Sequence, residues 1–134
     1  MIKLHSRIYD TSAMIRISNK EEGYEKIAAL LHAAGSGKAG KASALSAFEF
    51  LFSVGRTKGE QAAVALALFE STLDFVPVSF ETAQRAAFLK LKYSKVNLSL
   101  ADAIILQTGI DNGLEVVTCY REWSKIVEAK VLVV

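Results

Sequence analysis

The sequence predicts an α/β fold, a three-layer sandwich in which a mostly parallel central sheet is flanked by helices and a helical hairpin. Short apolar stretches typical of strands alternate along the chain with longer stretches whose apolar residues have helical spacing. This alternation is typical of a parallel sheet. The chain has 134 residues, of which 51% are hydrophobic, enough for one compact core and too few for two full domains. We therefore expect a single domain over residues 1–134.

The individual elements follow from apolar spacing and from the residues that begin and end helices. The first strand is predicted at Arg7–Tyr9 and ends at Asp10, after which Thr11 and Ser12 have side chains suited to begin a helix. Further strands are expected at residues 74–78, 115–118 and 131–134. Further helices are expected at residues 23–34, 43–54, 60–71, 79–93 and 99–112.

The connections between these elements are marked by glycine. A glycine-rich break at residues 35–37 follows the helix that begins at Gly23. Residues 38–41 are either a weak strand or a loop, because Lys-Ala-Gly-Lys is a poor composition for a strand. Residues 55–59 are expected to form the turn of the helical hairpin. Gly113 is expected to cap the end of the last helix.

Composition restricts the location of the protein and the kinds of site it can contain. The longest uncharged apolar stretch, residues 62–69, is much shorter than the roughly 20 residues of a membrane helix, and residues 1–7 lack the apolar core of a signal peptide. Because Cys119 is the only cysteine, neither an internal disulfide nor a thiolate zinc site is available. We expect a cytoplasmic protein without a membrane partner. The net charge of +2 permits an RNA partner without requiring one.

Three acidic residues are predicted to meet at one edge of the sheet. Asp10 closes the first strand, and ligands of such sheets bind outside the carboxyl ends of the strands. Asp102 lies in the first turn of a helix that precedes a parallel strand, which places it at the same edge. Glu49 lies about one and a half turns into its helix, within reach of the other two. Clustered carboxylates favour a cation, and oxygen ligands favour Mg²⁺ or Mn²⁺, which could activate water against a phosphodiester.

Each of these acids also has a purely structural interpretation. Asp10 could only cap a helix, and the spacing of Ser99 and Asp102 fits a capping box. Glu49 could belong to a narrow solvated stripe with three polar residues of the same helical face, Ser46, Ser53 and Arg56.

The motifs around the three acids resemble, in order, those of PIN-domain ribonucleases of the VapC toxin type. Residues 8–15, IYDTSAMI, resemble the first acidic motif of that family, an apolar strand that ends in Asp and is followed by Thr-Ser. Residues 43–51, SALSAFEFL, resemble the second motif, which supplies the helix glutamate. Residues 98–118 resemble the third, with the aspartate helix, its glycine cap and a strand that ends in Thr. The resemblance covers nearly the whole chain.

The resemblance implies a metal-dependent endoribonuclease that is the toxin of a toxin-antitoxin pair. It implies that Asp10, Glu49 and Asp102 are both the catalytic residues and the ligands of Mg²⁺ or Mn²⁺, and that Ser12 and Thr118 support them. The implied partners are an RNA substrate and a small antitoxin protein whose tail enters the acidic groove. A homodimer is also expected. Its contact is predicted at the apolar hairpin of residues 48–69, which has more apolar side chains than a short hairpin can bury.

The sequence departs from the family at the fourth acid. The family places an aspartate two residues after the strand threonine, where this chain has Tyr120. Glu122 could turn inward as a substitute, or it could be a surface residue. The expected consequence is reduced activity. The alternative functions are a noncatalytic or weakened PIN module that binds RNA or a protein partner, and an RNA-maturation nuclease.

A basic segment before the third motif is the best candidate for contact with RNA. Lys90, Lys92 and Lys95 surround Tyr93, a composition suited to a phosphate backbone that leads toward Asp102. The structural alternative is a set of solvated lysines at the end of a helix.

Overall fold

The computed structural model describes residues 6–33 and 37–134. Its strands are β1 (Arg7–Tyr9), β2 (Gly40–Ser43), β3 (Leu73–Val76), β4 (Glu115–Thr118) and β5 (Lys130–Val133). They form one five-stranded sheet in the order β3-β2-β1-β4-β5, and all four neighbouring pairs are parallel. The first strand therefore lies in the centre, with β4 as one of its neighbours. The predicted α/β sandwich with a parallel sheet is confirmed.

Six α-helices connect the strands within the described residues. They are α1 (Thr11–Ser18), α2 (Tyr24–His32), α3 (Ala44–Lys58), α4 (Gln61–Thr72), α5 (Phe80–Lys92) and α6 (Leu100–Asn112). A short 3-10 helix at Arg121–Lys125, which the sequence analysis did not predict, lies between β4 and β5. No helix in the described part of the chain has the length and apolar character that crossing a membrane requires.

The two faces of the sheet are covered by different helices. Tyr9 and Val117 belong to a buried cluster that includes side chains of α1, α2, α3 and α4. Ile8 and Val116, the neighbouring residues of the same strands, belong to a second cluster with side chains of α5, α6 and the 3-10 helix. Successive strand residues point to opposite faces, so a sheet covered on both sides needs continuous apolar strands. The result is the three-layer arrangement predicted from the sequence.

The predicted turn at residues 55–59 is wrong, because α3 continues to Lys58. Gly55 lies inside α3 and does not end it. A glycine inside a helix lowers stability by only about 1 kcal/mol relative to alanine, which the packing of the helix can outweigh. The helix ends at Gly59, whose φ of 56° lies in the left-handed region. The helical hairpin itself is present, with α3 and α4 joined by a shorter connection than expected.

The uncertain segment at residues 38–41 leads into a strand, β2. At Gly40, an added Cβ would lie 2.8 Å from the carbonyl oxygen of Arg7 and 3.0 Å from the Tyr9 ring. Glycine therefore allows β2 to pack closely beside β1, and the contact outweighs a poor strand propensity. The preceding predicted break at residues 35–37, like the end of the helix predicted to reach residue 34, falls partly outside the described residues.

Candidate active site

Asp10 follows β1 directly and is almost completely buried, with 1% of its surface exposed. Its Oδ2 atom accepts hydrogen bonds from the Ser12 hydroxyl at 2.6 Å and from the Thr118 hydroxyl at 3.1 Å. It also caps α1 through a longer contact of 3.4 Å with the Ser12 backbone N–H. Among the described residues, its Oδ1 atom has no hydrogen-bond donor. Asp10 is therefore both a helix cap and a carboxylate with a free oxygen.

Burial raises the pKa of Asp10 from 3.8 to about 7. The hydrogen bonds from Ser12 and Thr118 lower the pKa, and the neighbouring Asp102 raises it, but the loss of hydration is the largest effect. A positive charge beside Asp10 would favour its ionised form. The two residues predicted to support the acids, Ser12 and Thr118, both contact Asp10.

Glu49 projects from α3 toward the same edge and is partly buried. Its Oε1 atom lies 2.6 Å from the Thr11 hydroxyl, which is also 2.9 Å from the Ser46 hydroxyl. Because a hydroxyl has one hydrogen, Thr11 donates to one of these oxygens at a time. Glu49 and the buried Ser46 are thus tied to the start of α1 and are not merely a solvated stripe.

Asp102 is the third residue of α6 and forms a capping box with Ser99. The Ser99 backbone N–H donates to Asp102 Oδ2 at 2.9 Å, and the Asp102 backbone N–H donates to the Ser99 hydroxyl at 3.0 Å. Burial raises the pKa of Asp102, while its contacts with Ser99 and the positive charge of Lys90 lower it. The capping interpretation is correct for Asp102, but the cap occupies only Oδ2, and Oδ1 has no donor among the described residues.

The three acids line one cavity of about 300 Å³. Its other lining residues are hydroxyl, apolar and aromatic side chains, namely Thr11, Ser12, Ile15, Phe48, Phe52, Ser53 and Tyr120. In the described part of the chain, no three His, Cys, Asp or Glu side chains are close enough to share an ion as they stand. Glu49 and Asp102 are held by their own hydrogen bonds, so a shared ion would require these side chains to move.

The structure places the two candidates for the fourth acidic position differently. Tyr120 is 50% exposed and lines the acidic cavity. Burial and the charges of Asp10, Asp102 and Glu49 raise its pKa, which keeps the phenol neutral. Glu122 is exposed in the 3-10 helix and does not line the cavity.

The three lysines of the basic segment have different environments in the structure. Lys90 donates a hydrogen bond to the Leu98 carbonyl and acts electrostatically on Asp102. Lys92 instead pairs with Glu128 at 2.7 Å. Lys95 is exposed in the link between α5 and α6. Lys90 is therefore the lysine of this segment whose charge acts on one of the three acids.

The contact of Thr11 with Glu49 and the position of two aromatic residues in the cavity were not predicted from the sequence. Thr11 follows Asp10 directly, and its hydroxyl reaches Glu49 only because α1 packs beside α3. Phe52 lies three positions after Glu49 and four positions after Phe48. In the sequence, however, both phenylalanines belong to an apolar run typical of core residues. A helical projection centred on Glu49 would have placed both beside it.

Comparison with solved structures shows which proteins share this fold. A chain of VapBC2 from Rickettsia felis, bound to a DNA fragment from its promoter, has a TM-score of 0.75 and 19% identity, covering 94% of this chain and 96% of that chain. DNA-bound VapBC from Salmonella typhimurium has a TM-score of 0.74 and 18% identity, covering 96% and 97%. Mycobacterium tuberculosis VapC20, a toxin that cleaves the sarcin-ricin loop, has a TM-score of 0.68 and 19% identity, covering 83% and 87%.

Sequence comparison identifies the family. No curated protein matches the chain. The sequence model of the PIN domain, however, matches residues 7–128, a span that includes all three acids and the first four strands, β1 to β4. The similarity therefore covers the whole candidate site, and the chain belongs to the PIN domain family.

Proposed function

We propose that this chain is a metal-dependent endoribonuclease and that Asp10, Glu49 and Asp102 are its catalytic residues. The observation that carries the proposal is the convergence of three acids from separate elements in one cavity, with Asp10 almost fully buried. Burying a carboxylate without a cation is unfavourable. Groups with this cost are commonly retained where they have a chemical task.

The residues of the cavity fit Mg²⁺ or Mn²⁺. The donors are carboxylate and hydroxyl oxygens, which hard divalent cations prefer. Asp10 and Asp102 each have one oxygen that accepts no hydrogen bond from the residues the structure describes, and both carboxyl groups would be stabilised in their charged form by a cation. When bound, the ion would supply an activated water and neutralise phosphate charge.

The remaining polar residues would hold the acids in position. Ser12 and Thr118 fix the Oδ2 side of Asp10 and leave Oδ1 for the ion. Thr11 holds Glu49, and the backbone of Ser99 holds Asp102. Lys90, beside Asp102, is placed to contact a phosphate of the RNA; Lys92 and Lys95 are weaker candidates.

We also propose that the protein acts in the cytoplasm as the toxin of a toxin-antitoxin pair. The support is the fold shared with VapBC proteins and with a toxin that cleaves the sarcin-ricin loop. An antitoxin could enter the acidic cavity, as expected from the sequence. A second depression of about 380 Å³ lies between α1, α2 and α4 and has largely apolar walls, including Ile17, Leu31 and Leu68, suited to an apolar segment of such a partner.

We propose that the homodimer forms through the outer face of the helical hairpin, the exposed surface that includes Leu51 on α3 and Val64 on α4. Val64 is 64% exposed on α4, and Leu51 is 39% exposed on the side of α3 away from Glu49. Leu68 is a further exposed apolar residue of α4, and clusters of exposed apolar side chains favour a protein contact. A twofold arrangement would place the same surface of both copies together.

A noncatalytic or weakened RNA-binding module is the second candidate function, and Tyr120 is the observation that favours it. Its neutral phenol occupies the cavity wall where the family has a fourth acid, so the site has less negative charge for a second ion. An RNA-maturation nuclease would use the same acids and differ only in its RNA.

Cleavage of a single-stranded RNA in the presence of Mn²⁺ tests the proposed activity. The parent should cleave, and Asp10→Asn, Glu49→Gln and Asp102→Asn should each lose activity by about 100-fold or more, since each removes a ligand of the ion. The matched control is Glu22→Gln, an exposed acid outside the cavity. Activity that survives all three cavity substitutions would show that the site is elsewhere, and a parent that binds but never cleaves RNA would favour the binding module.

A further inference from the structure

Two phenylalanines beside the acids are exposed to solvent. Phe48 is 68% exposed and Phe52 is 58% exposed, although both are large apolar side chains of α3. Their rings are nearly parallel, at 7° to one another, with centroids 5.8 Å apart. The guanidinium carbon of Arg56, one turn further along the helix, lies 5.1 Å from the centroid of the Phe52 ring. Phe48, Phe52 and Arg56 are called the aromatic ladder below.

The aromatic ladder adjoins the acidic cavity and is not part of the core. Phe48 and Phe52 line the same cavity as Asp10, Glu49 and Asp102. Phe50, by contrast, points away from them into the core and is fully buried. The spacing of four residues stacks the members of the ladder along one stripe of α3. Their exposure therefore leaves two aromatic rings accessible to solvent beside the acids.

The charge of the ladder suits a phosphate chain. Arg56 lies two helical turns beyond Glu49, about 11 Å along the axis. Because its guanidinium lies over the Phe52 ring, which lines the cavity, Arg56 offers a contact to a backbone phosphate near the one at the acids and partly offsets the negative charge of the cavity. Aromatic faces combined with cations along a groove are the arrangement by which proteins bind single-stranded nucleic acids.

We propose that Phe48 and Phe52 form a stacking platform for an unpaired base of single-stranded RNA, next to the phosphate that the acids would attack. This inference rests on the proposed function and specifies which side chains hold a base of its RNA substrate. A base in a double helix has both faces covered by its neighbours, so only an unpaired nucleotide can stack on the ladder. Arg56 contacts the adjoining phosphate. A protein segment on these rings is the competing occupant that the experiment must exclude.

Binding of a labelled single-stranded oligoribonucleotide, measured by fluorescence anisotropy in EDTA, tests the platform without cleavage. Phe48→Leu and Phe52→Leu should each weaken binding about tenfold, the loss expected for one stacked base. Phe52→Tyr, which keeps an aromatic face, should bind like the parent. The matched control is Phe88→Leu on α5, which removes a ring that is 71% exposed and lies outside the cavity.

The same measurement with an RNA that lacks one base identifies the partner of the rings. Removal of the stacked base should weaken binding to the parent about tenfold and leave binding to Phe52→Leu unchanged, because the two changes delete one interaction. If no base position behaves in this way, or if Phe88→Leu loses as much affinity as Phe52→Leu, the platform is wrong. It is also wrong if the leucine variants bind RNA normally and change only the oligomeric state.

Cleavage by the parent in Mn²⁺ separates this inference from the proposed function. A parent that shows the base-dependent loss of affinity and does not cleave has the platform without the nuclease activity. A parent that cleaves, and whose cleavage and RNA affinity are both unaffected by Phe48→Leu and Phe52→Leu, has the activity without the platform.

Discussion

The carboxyl group of Asp10 retains its proton up to a pH of about 7 when no cation is present. The unfolded chain loses this proton near pH 3.8, so the metal-free protein becomes less stable as the pH rises from about 4 to about 7. Below that window both states are protonated, and the penalty disappears. Asp10 therefore costs folding free energy at neutral pH that a bound ion would offset.

Asp10→Asn should remove this penalty. In EDTA at pH 8, the variant should be more stable than the parent by up to about 4 kcal/mol, at about 1.4 kcal/mol per pKa unit, and the difference should shrink toward pH 4. Added Mn²⁺ should raise the melting temperature of the parent and leave that of the variant unchanged. Thermal melts over this pH range measure both effects. Glu22→Gln is the control, and a variant whose response to Mn²⁺ equals that of the parent would place the ion elsewhere.

Tyr120 lines the acidic cavity at the position where the resemblance to the family predicts a fourth acid. Tyr120→Asp restores a negative charge to the cavity wall and should raise Mn²⁺ affinity and RNA cleavage together. Glu122→Gln should change neither, because Glu122 is exposed and does not line the cavity. Calorimetric titration with Mn²⁺ and a cleavage assay measure the two properties. The opposite result, lost activity in Glu122→Gln and no gain in Tyr120→Asp, would make Glu122 the displaced fourth ligand.

At the scale of elements, helix α6 carries Asp102 and packs against β4 at a glycine. An added Cβ at Gly109 would lie 2.6 Å from Val116 Cγ2 and 3.4 Å from the Leu114 carbonyl oxygen. Gly109→Ala should therefore destabilise the protein by about 1–3 kcal/mol, the usual cost of overpacking. Gly55→Ala in α3, where no atom lies within 4 Å of the added Cβ, should instead stabilise it by about 0.5–1 kcal/mol. Chemical denaturation distinguishes the two, and equal effects would contradict the packing proposed at Gly109.

Helix ends could be predicted where a side chain caps the backbone. The capping box of Ser99 and Asp102 and the left-handed Gly113 both mark α6 correctly in the sequence. The end of α3 was misplaced because Gly55 and Gly59 are equally good local signals, and only the packing of the hairpin decides between them. The 3-10 helix was missed because its start at Tyr120 has no capping side chain.

For the whole molecule, the outer face of the helical hairpin is the surface proposed for dimer formation. Val64→Glu would place a charge on this surface and should convert a dimer into a monomer, because a buried unpaired charge is costly. Sedimentation at micromolar concentration measures the change. Gln84→Glu, at an exposed position of α5, changes the net charge by the same amount as Val64→Glu and should remain dimeric. A parent that is monomeric at this concentration removes the proposal.

The topology predicted most of the site, and side-chain contacts supplied the rest. Parallel strands with helices between them bring Asp10 and Asp102 to one edge whatever the details of packing. The contact between Thr11 and Glu49 depends on how α1 packs beside α3, which apolar periodicity does not determine. The different partners of Lys90 and Lys92 also depend on tertiary packing. Lys92 pairs with Glu128, which lies 36 positions away in the sequence.

The central position of β1 determines when the acidic edge can exist. Asp10 accepts a hydrogen bond from Thr118, 108 positions later, and β1 pairs with β4, so the edge forms only after both segments have been made. At roughly 5–20 residues per second, a ribosome needs about 5–20 s to synthesise the intervening chain. For most of that time Asp102 has not yet been added to the chain, so the acidic cavity cannot form. The proposed nuclease activity would therefore be absent from a nascent chain until almost all of that chain has been translated.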